Sequence, residues 1–411
     1  PVMKTPYRCL IGGSAVALLA LSAAPRALAA PAPDTLTPDA VTQRIASKDG
    51  TTALEVVKRF PKDFNMIGVG VSHSGIVYAS APATMKRYSA SVVRVDPATG
   101  ALQPFPDAGW NRFDPHPVDK EVWVSVPALW VDDRNHLWVL DSSLPSVDQK
   151  TLPPKLAEFD AETGQLYQIY HFGPDITPAD SLNDVRVDTR TRTAYITNEW
   201  GRGGLVVMDL DTGAYRLVLA NTRSGIADPK QHLHIYGELA RKKDNTLPVT
   251  QDDGIALSPD RKWLYYRPLT DHHYWRIATS DLRNAKLTDA ELDKRVEYLG
   301  QSVMSGGIEM DSCQRLWVGD IENHGLYALS FPKGATTPKI DFSYRNPAVL
   351  DWADGFAIAK DWLYISDSRL DELAFSNSRP VSGATTIYRM KLPACETGGE
   401  ASPQQIDGHS N

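Results

Sequence analysis

An all-β fold, a six-bladed β-propeller with four-stranded antiparallel blades, is what this 411-residue sequence predicts, on three observations. Short apolar runs bounded by Gly, Pro, Asp and Asn dominate, which is the pattern of short strands rather than helices. A pair of such runs around a polar turn recurs six times, at residues 68–80, 128–141, 184–198, 254–266, 307–320 and 355–367. Further strands follow several of these pairs and carry their own turn, as in 91–100, 155–164 and 205–213, each ending in Asp-x-x-Thr-Gly. Fixed self-similarity at this spacing marks a propeller and not a pair of β-sandwiches.

The elements follow in order. Lys4 and Arg8 precede an apolar run from Leu10 to Ala24, Pro25 breaks it, and Ala27-Leu28-Ala29 has the A-x-A form of a cleavage site, so residues 1–29 read as a secretory signal peptide. Residues 30–52 read as a linker, rich at first in Pro, Ala, Thr and Asp, residues 53–392 as the propeller, and 393–411 as a flexible C-terminal tail. The stretch from Ala53 to Phe60 is an extra strand ahead of the first repeat. It predicts ring closure, as the outer strand of the last blade beside Thr386 to Leu392. Leu287 to Val296 is the best helical pattern, with Thr288 and Glu291 spaced as a capping box, and sits as an insertion within blade four. Trp138, Trp263, Trp317 and Trp362 fall in second strands and are expected to pack between blades. Trp200 and Trp275, in or near loops, are candidate ligand walls.

Charge and cysteine usage exclude several classes. The chain has 43 basic and 50 acidic residues, a net charge of −7, and loss of the leader deepens this by three. That balance argues against a nucleic-acid binder, which needs a basic face. The expected protein is secreted or periplasmic, free of the membrane after cleavage, with a small-molecule ligand as partner. The two cysteines beyond the leader, Cys313 and Cys395, could pair in an oxidising compartment. No HExxH, GxSxG or P-loop pattern occurs.

Propeller geometry places candidate chemistry. The start of each inner strand and the end of each second strand lie on the same face, ringing one mouth of the central channel. Strand starts supply Asn183, Asp184, Asp252, Asp253 and Asp354. Strand ends supply Asp141, Asn198, Glu199, Arg267, Asp320, Glu322, Asn323, His324, Asp367 and Arg369. Such an acidic mouth attracts cations or amines and repels acids. Asp141, Asn183, Asp184, Asn198, Asp253, Arg267, Asn323, Asp354 and Asp367 are the candidate ligand-binding set. Asp320, Glu322 and His324 are candidate acid–base groups. His272 and His273 follow the second strand of blade four, and His232 and His234 lack a third metal ligand. Asn183, Asp253 and Asp354 could offer oxygens to calcium, but blade five has Gly306 at the matching place, and no metal or other cofactor is assigned.

Several of these segments together resemble the major royal jelly protein and yellow family, in its bacterial branch. The residues that carry the resemblance are 128–141, the run Leu182-Asn183-Asp184-Val185-Arg186, 194–198 with 204–210, 253–269, the run Gly319-Asp320-Ile321-Glu322-Asn323, and 353–357. The resemblance covers about residues 54–392. It implies a six-bladed propeller with a ligand pocket at the channel mouth. It also implies one of two roles known among insect members: dopachrome conversion in melanin chemistry, or binding of biogenic amines. This sequence departs from the family pattern at Ser305-Gly306-Gly307, where an Asp-Gly start is usual, and lacks the rich cysteine pairing of insect members. The gluconolactonase-like propellers are a third comparison, implying a metal-dependent lactonase. Asn183 fits one of their four metal ligands and Asp253 replaces another, but the places at Ile67-Gly68 and Gly306 carry no ligand. The expected function is therefore binding or acid–base tautomerisation of a small aromatic or cationic molecule, with no cofactor.

Overall fold

The computed structural model describes residues 44–46, 53–83, 90–112, 121–143, 152–376 and 383–395. The expected signal peptide, residues 1–29, lies outside the described residues, as do most of the linker and residues 396–411. Four antiparallel strands build each of the first five blades. Their inner strands are Gly68–Val71, Ala128–Val131, Leu182–Asp188, Asp252–Leu257 and Ile308–Met310. The sixth blade takes its inner strand, Ala353–Ala359, and the next two, Trp362–Asp367 and Thr386–Lys391, from the C-terminal end of the fold. Its fourth, Ala53–Arg59, comes from the N-terminal end. Arg59 pairs with Thr386 and Glu55 with Arg389, whose Nε donates to Glu55 Oε2 at 3.1 Å. This is the expected closure. Each inner strand adjoins the next around the ring, the sixth meeting the first.

A fifth strand, Arg44–Ala46, pairs with Ala53–Glu55 and extends the sixth blade into the segment read as linker. Three residues with no alternating pattern give too short a signal for a sequence to show this strand.

Local chemistry explains the hairpins. Asp96 Oδ1 accepts from the backbone N–H of Ala98 and Thr99, and the following Gly100 has φ 70°. The same arrangement recurs at Asp160 with Gly164 and at Asp209 with Gly213. Asp satisfies the turn's donors and Gly takes the left-handed conformation. A second device fixes the inner hairpins. Trp138 Nε1 donates to Asp132 Oδ2 and Trp317 Nε1 to Asp311 Oδ2, both at 2.9 Å, tying a fully buried indole to the turn before it. Trp263 and Trp362 are only partly buried. Each begins its second strand, beside the turn, and lies under an arginine, Arg276 or Arg389, 4.2 Å from the ring centroid.

Helix Asp289–Asp293 carries the expected capping box, with Thr288 and Glu291 bonded reciprocally. It stands between the third and outer strands of blade four, preceded by Thr279–Arg283. No described helix is long and apolar enough to cross a membrane.

Cys313 and Cys395 form a disulfide, with Cα atoms 5.4 Å apart and a sequence separation of 82. Arg315 reinforces the tie by donating to the carbonyls of Pro393 and Ala394. Replacing both cysteines with alanine is expected to lower stability by about 2–5 kcal/mol, as loss of a long-loop cross-link does. Urea denaturation of the purified variant checks it. An unchanged midpoint would mean that blade pairing alone holds the C-terminal strand.

Candidate ligand cavity at the channel mouth

One face of the ring opens into a cavity of about 930 Å³. Part of its lining is apolar, with Phe172, Ile176, Phe356 and Phe375 among its residues. Prolines 127, 153, 154, 174, 178 and 248 contribute rigid surface without N–H donors. Trp200, 39% exposed, stands among the lining residues as the sequence suggested. The inner strands contribute a charged and polar set, Asn183, Asp184, Arg186, Asp253 and Asp354, which with Glu199 forms the floor of the cavity on the channel side.

Strand irregularity brings these groups in. The inner strands of blades three, four and six each lose register at their start, between Leu182 and Val185, Asp252 and Gly254, and Ala353 and Phe356. Asn183 with Asp184, Asp253, and Asp354 with Gly355 fall within these three shifts. A bulge re-aims the side chains it contains, and here it accompanies polar residues at the channel. The paired residues of the inner strands in blades one, two and five show no such shift.

Only part of this acid is neutralised. Arg186 Nη1 lies 2.9 Å from Asp184 Oδ1, and Nη2 lies 3.2 Å from Glu309 Oε2. The guanidinium is pinned by the carbonyls of Val185 and Ile308 and lies 5.7 Å from the centroid of the Trp130 ring. Glu309 accepts from Trp130 Nε1 at 3.1 Å, so blade five places its acid one step along the strand from Gly306 and Gly307. Burial outweighs the arginine and keeps the Asp184 and Glu309 carboxyls above the usual range.

Among the described residues, Glu199, Asp253 and Asp354 form no ion pair with a basic side chain. Glu199 Oε1 accepts from Ser181 Oγ at 3.0 Å; burial first, then the nearby Asp354 charge, push its pKa up to about 7. Asp354 Oδ2 accepts from Ser368 Oγ at 2.9 Å, and burial raises its pKa to about 6. Asp253 is raised well above the carboxylate range by burial and by Glu199, Asp354 and Asp184. Three desolvated acids repel one another and hold protons near neutral pH.

The structure separates the candidate residues into two groups. Asn183, Asp184, Asp253 and Asp354 meet at the cavity. Of the strand-end residues only Glu199 is among its lining residues; Asp141, Asn198 and Asp367 instead bind the segment that feeds the inner strand of their own blade. Asp141 accepts from the N–H of Val124 and Ser125, Asn198 from Ser181, and Asp367 from Asp351 and Trp352. Arg267 is fully buried and donates to the carbonyls of Ser305 and Asp271. Asn323 donates to Asp320 from both its backbone and its side chain.

Glu322 bonds His272 Nε2 at 2.9 Å and His234 N at 2.9 Å, while His324 bonds Asp351 and stacks on Tyr236. Asp320, Glu322 and His324 are therefore not brought together at the cavity. Trp275 packs against Tyr298 and under Arg223, a core position and not a ligand wall. Glu199 is the cavity residue that no specific assignment captured. It follows the latch Asn198 by one position, and strand alternation sends consecutive side chains to opposite sides. That offset is the signal that would have found it.

Fold and cavity together define an acidic-mouthed six-bladed propeller. The family model described as major royal jelly protein matches residues 124–396, and the chain belongs to that family. Major royal jelly protein 3 of Apis mellifera is 29% identical over 262 residues, 61% of this chain and 45% of the relative. Major royal jelly protein 1 of the same organism is 32% identical over 196 residues, 45% of this chain and 42% of the relative. The matched region thus spans less than half the length of these relatives. Among solved structures, a luciferin-regenerating enzyme superposes with a TM-score of 0.50 at 11% identity, covering 84% of this chain and 95% of that one, a likeness of fold alone.

Proposed function

We propose that this protein binds a small amphipathic organic cation, apolar part against the proline and aromatic wall, charge against Glu199, Asp253 and Asp354. The observation that carries this reading is the cluster of desolvated carboxyls, Asp184, Glu199, Asp253 and Asp354, against two basic lining residues, Arg186, which is already paired with Asp184, and the exposed Lys242. A cationic ligand would relieve the repulsion among the carboxyls, and an anion would aggravate it. The Cys313–Cys395 pair supports work outside the reducing cytosol, in keeping with export.

Thermal denaturation with a panel of ligands tests the reading. Arylalkylamines are expected to raise the midpoint, because any ligand of the native state stabilises it. Arylalkyl carboxylic acids of the same size are expected to leave it unchanged. A shift with the acids and none with the amines would reverse the assignment.

A second reading is favoured by one observation, the Glu199 pKa of about 7 beside a ligand cavity. A carboxyl so placed can take and return a proton at neutral pH, which suits tautomerisation of a dopachrome-like ring compound. Absorbance-monitored turnover of dopachrome that disappears in E199Q would support it. Turnover equal to the uncatalysed rate leaves binding alone.

A further inference from the structure

The floor of the cavity discriminates among cations, an inference that rests on the cationic reading above and adds the kind of nitrogen. Asp253 is 4% exposed, lines the cavity, and its side chain takes no hydrogen bond from any described residue. An unpaired buried carboxyl is costly, and the cost is offset when a donor arrives. Here the open direction for a donor is the cavity.

Asp354 comes close to the same place. A Cβ on Gly306 would collide with Asp354 Oδ1 and stand 3.7 Å from Asp253 Oδ1. Acids from blades four and six therefore converge over the bare Cα that blade five provides. The absent side chain is the departure from the Asp-Gly pattern noted in the sequence. Glu199, from blade three, spends Oε1 on Ser181 and has no described partner on Oε2.

The geometry points to a primary-ammonium subsite at this floor, with Gly306 as the residue that sets its selectivity. Acceptors from three blades match the three N–H donors of a primary ammonium. A quaternary ammonium has no N–H to give and is held best by aromatic faces, which Asp253, Asp354, Glu199 and Gly306 do not offer. Methyl groups on the nitrogen would also need room where a single carbon on residue 306 already collides.

Titration calorimetry of the whole protein with 2-phenylethylamine, its N,N,N-trimethyl analogue and 2-phenylethanol tests this. The primary amine is expected to bind about 30-fold more tightly than the trimethyl compound, the scale of lost charge-assisted hydrogen bonds. In G306A and D253N most of that preference is expected to vanish, with circular dichroism and the thermal midpoint reporting whether each variant is folded. The wild-type comparison stands without them. A trimethyl analogue that binds wild type within about threefold of the primary amine overturns the ammonium subsite and leaves the cationic cavity intact. Failure of both cations to bind overturns the cationic reading as well.

Discussion

Alanine in place of Asp141 is expected to destabilise the propeller by about 3–5 kcal/mol, the usual cost of removing one partner from a buried ion pair. Asp141 is fully buried and accepts from the N–H groups of Val124, Ser125 and Ser143. It also holds Lys155 Nζ at 2.9 Å, and Lys155 is 1% exposed. Truncation would leave an ammonium and three amide donors without their acceptor. Among the described residues, Lys155 would retain the carbonyl of Val122 and the nearby Trp123 ring. Chemical denaturation of D141A against wild type measures the loss. Replacing the pair together, as in D141N/K155M, is expected to recover part of it, because the uncompensated charge is gone. A D141A variant within about 1 kcal/mol of wild type would show that the blade-two connector is held by other means.

Asparagine at both Asp253 and Asp354 is expected to do the reverse: abolish cation binding and stabilise the empty protein at alkaline pH. The sign follows from the direction of the shifts. Both carboxyls hold their protons more tightly in the folded state, Asp354 with a pKa of about 6 and Asp253 well above the carboxylate range. Their contribution to stability is thus fully present below the unfolded value near 4 and is lost as pH rises through the folded values. For Asp354 alone the loss is about 2–3 kcal/mol by the exchange rate of pKa and free energy. Amides carry no charge to desolvate, so the variant's advantage over wild type is expected to grow between pH 4 and pH 8. Denaturation midpoints across that range, paired with amine titrations, read both effects. A variant less stable than wild type at pH 8 would mean that these carboxyls are paired in the empty state. Stability given up at a ligand site is a recurrent trade in natural proteins.

The same physics governs what was legible. Six blades could be read because each repeat sets two short strands around a polar turn, Asp-bearing in five of the six, and these local devices do not depend on distant residues. Ring closure by Ala53–Arg59 followed from the need to cover an edge. The acidic mouth was legible as a face, since strand starts and ends must cluster. Which acids reach the cavity was not, because Asp141 and Asp253 are alike in sequence and differ only in where backbone N–H groups approach them. Asp141 meets three such donors, whereas Asp253 sits in a register shift and meets none. The Arg186–Glu309 pair joins blades three and five across the channel, a contact between residues 123 positions apart that no local pattern announces. The strand Arg44–Ala46 was missed for want of length.

The central claim is that protonated acids in the cavity floor exchange their proton for an organic cation. Calorimetric titration of 2-phenylethylamine at pH 6.5, repeated in buffers of different ionisation enthalpy, tests it most directly. Glu199 at about 7 and Asp354 at about 6 are both partly protonated there, and the amine is already charged. Binding is expected to release protons, so that the measured heat depends on the buffer. The same heat in every buffer, or a proton taken up, would contradict the account.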